Sequence, residues 1–116
     1  MDTTVASANI SVSGTGVITL DESDSIILTD LDTVNGTITV TSGGAMTATD
    51  IQAGTNSNIA LTTTTGDITG VGTITAGTGN VVLVSAASVI DDGISSTLIS
   101  ANDLDITVET SSGSLN

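Results

Sequence analysis

Short aliphatic runs recur along this chain at a nearly constant distance. They are Val17-Ile-Thr-Leu20, Thr37-Ile-Thr-Val40, Asn58-Ile-Ala-Leu61, Gly79-Asn-Val-Val-Leu-Val84 and Asp103-Leu-Asp-Ile-Thr-Val108. Their leading aliphatics are Ile18, Ile38, Ile59, Val81 and Leu104, so the interval lengthens by one position with each repeat. Within the runs, aliphatic positions tend to alternate with Thr, Ser or Asp, the period of a strand with one buried face. No window sustains a helical period, and Thr and β-branched residues are poor helix formers. Strands repeating about every 21 residues are the signature of a stacked solenoid.

Taken in order, residues 1–16 are rich in Ser, Thr and Gly and form a lead-in segment or a partial first coil, with one alternation at Ile10-Ser-Val12. Residues 17–116 form the coils. The first places Ile26, Leu28 and Leu31 on a second edge and Val34 on a third, after the polar corner Asp21-Glu-Ser-Asp24. The second has Ile38, Val40, Met46, Ala48, Ile51 and Ala53 as inward candidates. The third has Ile59, Leu61, Ile68, Val71 and Ile74, and the fourth Val81, Leu83, Val89, Ile94 and Leu98. A fifth coil begins at residue 103. Three aliphatic clusters per coil suit a three-sided, right-handed parallel β-helix of about five coils, each of roughly 20–23 residues. It would be one β-solenoid segment spanning 1–116. The alternative is an antiparallel β-sandwich, since Asn35-Gly36 and Asp92-Gly93 are hairpin-type turn pairs. The steady interval and the absence of a core Trp or Tyr favour the coils.

Composition sharpens this picture. The chain has 13 acidic residues and no Lys, Arg, His, Cys, Pro, Phe, Tyr or Trp, for a formal charge of −13. The core must therefore consist of Ile, Val, Leu and Ala. Aliphatics of similar volume stack well in a narrow bore, where one aromatic would force neighbouring coils apart at about 1–3 kcal/mol. Without Lys or Arg, nucleic acid and anionic membrane are poor partners, and neither nucleic-acid binding nor membrane insertion is expected. His/Cys zinc sites are excluded too. No apolar run reaches the length of a membrane span, and no signal peptide is seen.

The stretch Thr65-Gly-Asp-Ile-Thr-Gly-Val-Gly-Thr-Ile-Thr-Ala76, followed by Gly79-Asn-Val-Val-Leu-Val84, resembles the β-helical repeats of filamentous haemagglutinin-type adhesins and other giant repetitive bacterial surface proteins. The likeness runs from about Gly36 to Val108. It implies a slice of a longer repetitive protein, exported to the cell surface or medium, acting as an adhesin or stalk. The export signature of that family is not found in this sequence.

Candidate chemistry is sparse. The densest carboxylates, Asp21, Glu22, Asp24, Asp30 and Asp32, together with Asp50, are the candidate Ca²⁺ ligands, because Ca²⁺ takes six to eight oxygens. Asp30 and Asp50 are separated by the same interval as Ile18 and Ile38, and each precedes an inward aliphatic. They are therefore expected to stack on adjacent coils. The alternative is a solvated acidic surface. Asp91-Asp92-Gly93 is similar to the paired aspartates of pectin-cleaving β-helices, but this chain lacks the cationic side chains such enzymes use, and the Ser hydroxyls lack a base. A tight Asp-Gly turn is the expected role, and no enzymatic activity is expected. Thr-x-Thr motifs at 37–39, 47–49, 62–64 and 73–75 fall at different coil phases, which argues against an ice-binding ladder. Asn9-Ile-Ser11 and Asn35-Gly-Thr37 are glycosylation sequons.

The expectation is a non-catalytic structural or adhesive module of an extracellular bacterial surface protein or fibre. Its partners would be copies of itself, flanking coils of a parent chain, or a host or surface ligand. The rival is a calcium-dependent surface-layer or matrix assembly protein. No capping helix is seen in residues 1–16 or in the Ser-Gly stretch Thr110 to Asn116, so both ends are expected to be open and to associate head to tail.

Overall fold

The computed structural model describes residues 2–109, and the stretch from Thr110 to Asn116 lies outside the described residues. The described residues are all-β, with fourteen strands and no helix. Parallel strands stack in coils and form a β-solenoid of about five turns.

Face one is a six-stranded ladder: β1 (Asp2–Thr3), β3 (Ile18–Glu22), β5 (Ile38–Ser42), β8 (Ile59–Thr63), β11 (Val81–Ser85) and β14 (Leu104–Val108), in that order. Its register carries the sequence period directly. Ile18 pairs with Ile38, Ile38 with Ile59, Ile59 with Val81 and Val81 with Leu104. Face two holds β2 (Ser7–Val12), the first half of β4 (Ile26–Thr33), β6 (Met46–Ala48), β9 (Ile68–Val71) and β12 (Val89–Asp91). Face three holds the second halves of β2 and β4, then β7 (Asp50–Gln52), β10 (Thr73–Thr75) and β13 (Ile99–Ser100). Residues 2–12 thus form a partial first coil.

Faces two and three are one hydrogen-bonded sheet because β4 turns the corner without ending. Ala8 pairs with Leu28 but Asn9 with Asp30, so Thr29 is an extra residue in β4. This bulge shifts the alternation by one, and Leu28 and Leu31 both point inward. In later coils the corner is a break, at Thr49, at Gly72 and at the longer loop 92–98. The repeat is longest in the coil that contains this loop, from Val81 to Leu104.

Every inward candidate of the second and third coils is buried, as are Val81, Leu83 and Val89 of the fourth. Three expectations need correction. Val34 is 60% exposed because the third face is already supplied by Leu31 and Thr33, leaving Val34 in the following corner. Ile94 and Leu98 are 54% and 67% exposed because they belong to loop 92–98 and its exit; the inward residue there is Ile99, the partner of Ile74.

Close stacking explains the glycine of Asn35-Gly36. A Cβ on Gly36 would collide with the carbonyl of Gly16 on the coil beneath. At Gly54 a φ of 79° adds a conformational demand to the same kind of contact, here with the Val34 carbonyl.

Candidate functional site

Apart from Thr33, which bonds Gly36, the inward columns are apolar with one exception. Glu22, Ser42, Thr63 and Ser85 lie at the end of successive face-one strands and are buried. Their spacing along the chain repeats that of Ile18, Ile38, Ile59 and Val81. Their role follows from the corner they face. As the chain turns from face one to face two, its backbone groups leave the ladder and need other partners. Ser42 Oγ donates to Asp24 O at 2.7 Å, and Thr63 Oγ1 to Gly66 O at 2.5 Å. Ser85 Oγ donates to Ser88 O at 2.7 Å and accepts from Ala87 N at 3.2 Å. Ala86 N donates to Thr63 Oγ1 at 3.3 Å, which ties two coils together. Glu22, 1% exposed, extends this column toward the first coil, where its Oε2 accepts from Val5 N at 2.9 Å. No buried side-chain nitrogen or oxygen among the described residues lacks a hydrogen-bond partner.

The candidate Ca²⁺ ligands are dispersed. Asp21 is exposed on the outer side of face one, whereas Glu22 points inward. The polar-corner reading of Asp21-Glu-Ser-Asp24 therefore needs correction at Glu22: β3 runs through it, so its side chain shares the phase of Leu20. Asp24 is exposed in the corner, and Asp32 is exposed above Gln52. Asp30 and Asp50 sit at the same coil phase, one position before the paired Leu31 and Ile51. Asp50 Oδ1 accepts from Gln52 Nε2 at 3.0 Å. Among the described residues, no group of three or more acidic side chains is placed to hold a metal ion.

Asp91 and Asp92 serve the loop they open. Gly93 N donates to Asp91 Oδ2 at 3.0 Å, Ile94 N to Asp92 Oδ1 at 2.8 Å, and Thr97 Oγ1 to both Asp92 oxygens. Gly93 has a φ of 77°. This is an Asp-Gly turn closed by side-chain acceptors. Thr residues make no continuous outward row on face one, where the order is Thr19, Thr39, Ala60, Val82 and Asp105. Asn9 of the first sequon is exposed, and Asn35 of the second is half-buried, accepting from Ser57 Oγ at 3.2 Å.

The described residues contain no pocket. The unusual surfaces are the two ends of the stack. The partly buried apolar residues that pack against the core are Ile10 and Val12 at one end, and Ile99, Ala101, Ile106 and Val108 at the other. Leu104, aligned with Val81 on the last face-one strand, is 47% exposed. Sequence reasoning pointed to the ends but missed the corner column, although its spacing was present in the residues. No protein-family model, curated protein or solved structure matches the chain.

Proposed function

We propose that this chain is a non-catalytic structural and adhesive module of an extracellular bacterial surface protein or fibre, a stretch of solenoid that lengthens by end-to-end contact. The observation that carries the reading is the state of the inward columns at both ends. In the middle coils they are fully buried; Ile10 and Val12 toward one end and Ile99, Ala101, Ile106 and Val108 toward the other are only partly buried, while Ile18 and Leu20 stay covered. Such a surface is completed by another coil with the same columns. The likeness to filamentous haemagglutinin-type repeats supports the surface location and the adhesive role. An acidic exterior with no Lys or Arg suits a protein that works outside the cell, where it offers trypsin-like proteases no cleavage site.

Sedimentation velocity at rising concentration, in about 0.15 M salt where the Debye length is about 8 Å, tests this reading. The wild type should form elongated species. A doubly substituted Leu104→Glu, Ile106→Glu chain, confirmed as folded by its melt, should remain monomeric. Equal behaviour of the two chains would contradict end-to-end contact as the working interaction.

A further inference from the structure

Asn35-Gly36, at the corner between faces three and one, is a reactive pair as well as a turn. In a flexible chain the nitrogen of a glycine attacks the amide of a preceding asparagine readily, because no Cβ hinders its approach. The bond from Gly36 N to Asn35 Cγ forms, the Cγ–Nδ2 bond breaks, and ammonia leaves with the proton from Gly36 N. Water then opens the five-membered imide at either carbonyl, leaving Asp at position 35 in one case and isoaspartate in the other. Water is the only co-reactant.

The stacked coils hold the atoms of this reaction apart. Gly36 N donates to Thr33 Oγ1 at 3.1 Å, and the same hydroxyl donates to Gly36 O at 2.6 Å. Thr33 is itself 1% exposed, so one buried side chain fixes both polar groups of residue 36. Asn35 Oδ1 accepts from Ser57 Oγ at 3.2 Å, across the gap to the next coil. The backbone is packed from both sides. A Cβ on Gly36 would strike the Gly16 carbonyl on one side, and a Cβ on Gly54 would strike the Val34 carbonyl and Asn35 Cα on the other. Attack requires Gly36 N to leave Thr33 and the peptide plane between residues 35 and 36 to turn, and the neighbouring coils leave no room for that turn. Asp92-Gly93 lacks this packing, since a Cβ on Gly93 would meet nothing. Its side chain is a carboxylate, a far poorer electrophile at neutral pH.

We propose that Asn35 is a latent site of spontaneous deamidation, guarded by the coils on either side and released when they part. The modification marks chains whose corner has opened, and its products do not restack. Isoaspartate moves one side-chain carbon into the main chain ahead of Gly36, where the Gly16 carbonyl already fills the space. Asp adds a half-buried charge to a chain at −13 that has no cationic side chain to receive it. Each event therefore keeps the corner open.

The test compares deamidation at Asn35 in the folded chain with that in the same chain unfolded in urea, at one mildly alkaline pH. Mass spectrometry reads it as replacement of the amide by a carboxyl. Local opening limits the folded rate, which should lie roughly a hundredfold below the unfolded rate. Ser57→Ala and Thr33→Val should each raise the folded rate about tenfold, by removing one of the bonds that hold the corner. Val89→Ala, a core truncation on face two of a distant coil, should lower the melting temperature and leave the rate at Asn35 unchanged. Should Thr33→Val fail to fold, Ser57→Ala carries the comparison. Equal rates in folded and unfolded wild type would overturn the proposal. Acceleration by Val89→Ala as large as that by Ser57→Ala would also overturn it, since the guard would then be global folding and not this corner.

Discussion

Glu22 Oε2 accepts a hydrogen bond from Val5 N at 2.9 Å, joining the first full coil to the partial coil before it. This carboxylate occupies the phase that Ser42, Thr63 and Ser85 hold in later coils, and only its longer side chain spans the gap to Val5. Glu22→Ser should therefore preserve the corner type but lose the Val5 contact. The predicted effect is local: amide exchange should accelerate for residues 5–12, with the later coils unchanged. The orphaned N–H costs about 1–3 kcal/mol where it stays buried. Unchanged protection of residues 5–12 would show that β2 is held by its ladder with β4 alone.

The apolar columns predict a graded response to truncation. Leu61 is fully buried between Val40 and Leu83, so Leu61→Ala should cost about 2–5 kcal/mol in a denaturant melt. Ile59→Val should cost about 0.5–1.5 kcal/mol. Ile59→Asp places an unpaired charge inside the stack and should prevent folding. A cooperative, near-wild-type melt for Ile59→Asp would defeat the register.

These columns were legible in the sequence because period-two alternation and the slowly lengthening repeat agree at every face-one strand. What escaped reading was phase at the corners. Val34, Ile94 and Leu98 are aliphatic, but aliphatic character does not tell an inward position from one just past a bulge or in a loop. The extra residue at Thr29 shifts the phase of β4, and no residue type there announces it. Glu22 escaped for a different reason. A carboxylate two positions beyond Leu20 reads by its charge as part of a polar corner and a candidate Ca²⁺ ligand, although its spacing to Ser42 matches that of the core.

The corner column predicts a polarity effect at constant shape. Thr63→Val keeps the volume but leaves the Gly66 carbonyl and Ala86 N–H without this partner. It should destabilise by about 1–3 kcal/mol, and Thr63→Ser should recover most of the loss. Equal melts for Thr63→Val and wild type would mean that water satisfies the turn as well as the hydroxyl does.

Charge makes stability salt-dependent. Thirteen acidic side chains with no cationic side chain repel one another in the compact state. Raising ionic strength from a few millimolar to about 0.15 M shortens the Debye length to about 8 Å and should raise the melting temperature. Na⁺ and Ca²⁺ at matched ionic strength should give the same rise. A larger rise with Ca²⁺, reversed by chelator, would show specific cation binding instead.

The functional reading and the guarded corner at Asn35 both depend on coils stacked in parallel register, and an intrachain crosslink tests that register most directly. Thr39 and Ala60 are paired on adjacent coils. Val82 is the next position in the same row. Adjacent strands are about 4.8 Å apart and alternate strands about 9.6 Å, on either side of the roughly 7 Å limit for a disulfide. The doubly substituted Thr39→Cys, Ala60→Cys chain should oxidise to a crosslinked monomer with an unchanged fold, whereas Thr39→Cys, Val82→Cys should remain reduced within the monomer. Failure of the first pair in a folded monomer, or crosslinking of the second as readily as the first, would contradict the stacked-coil account.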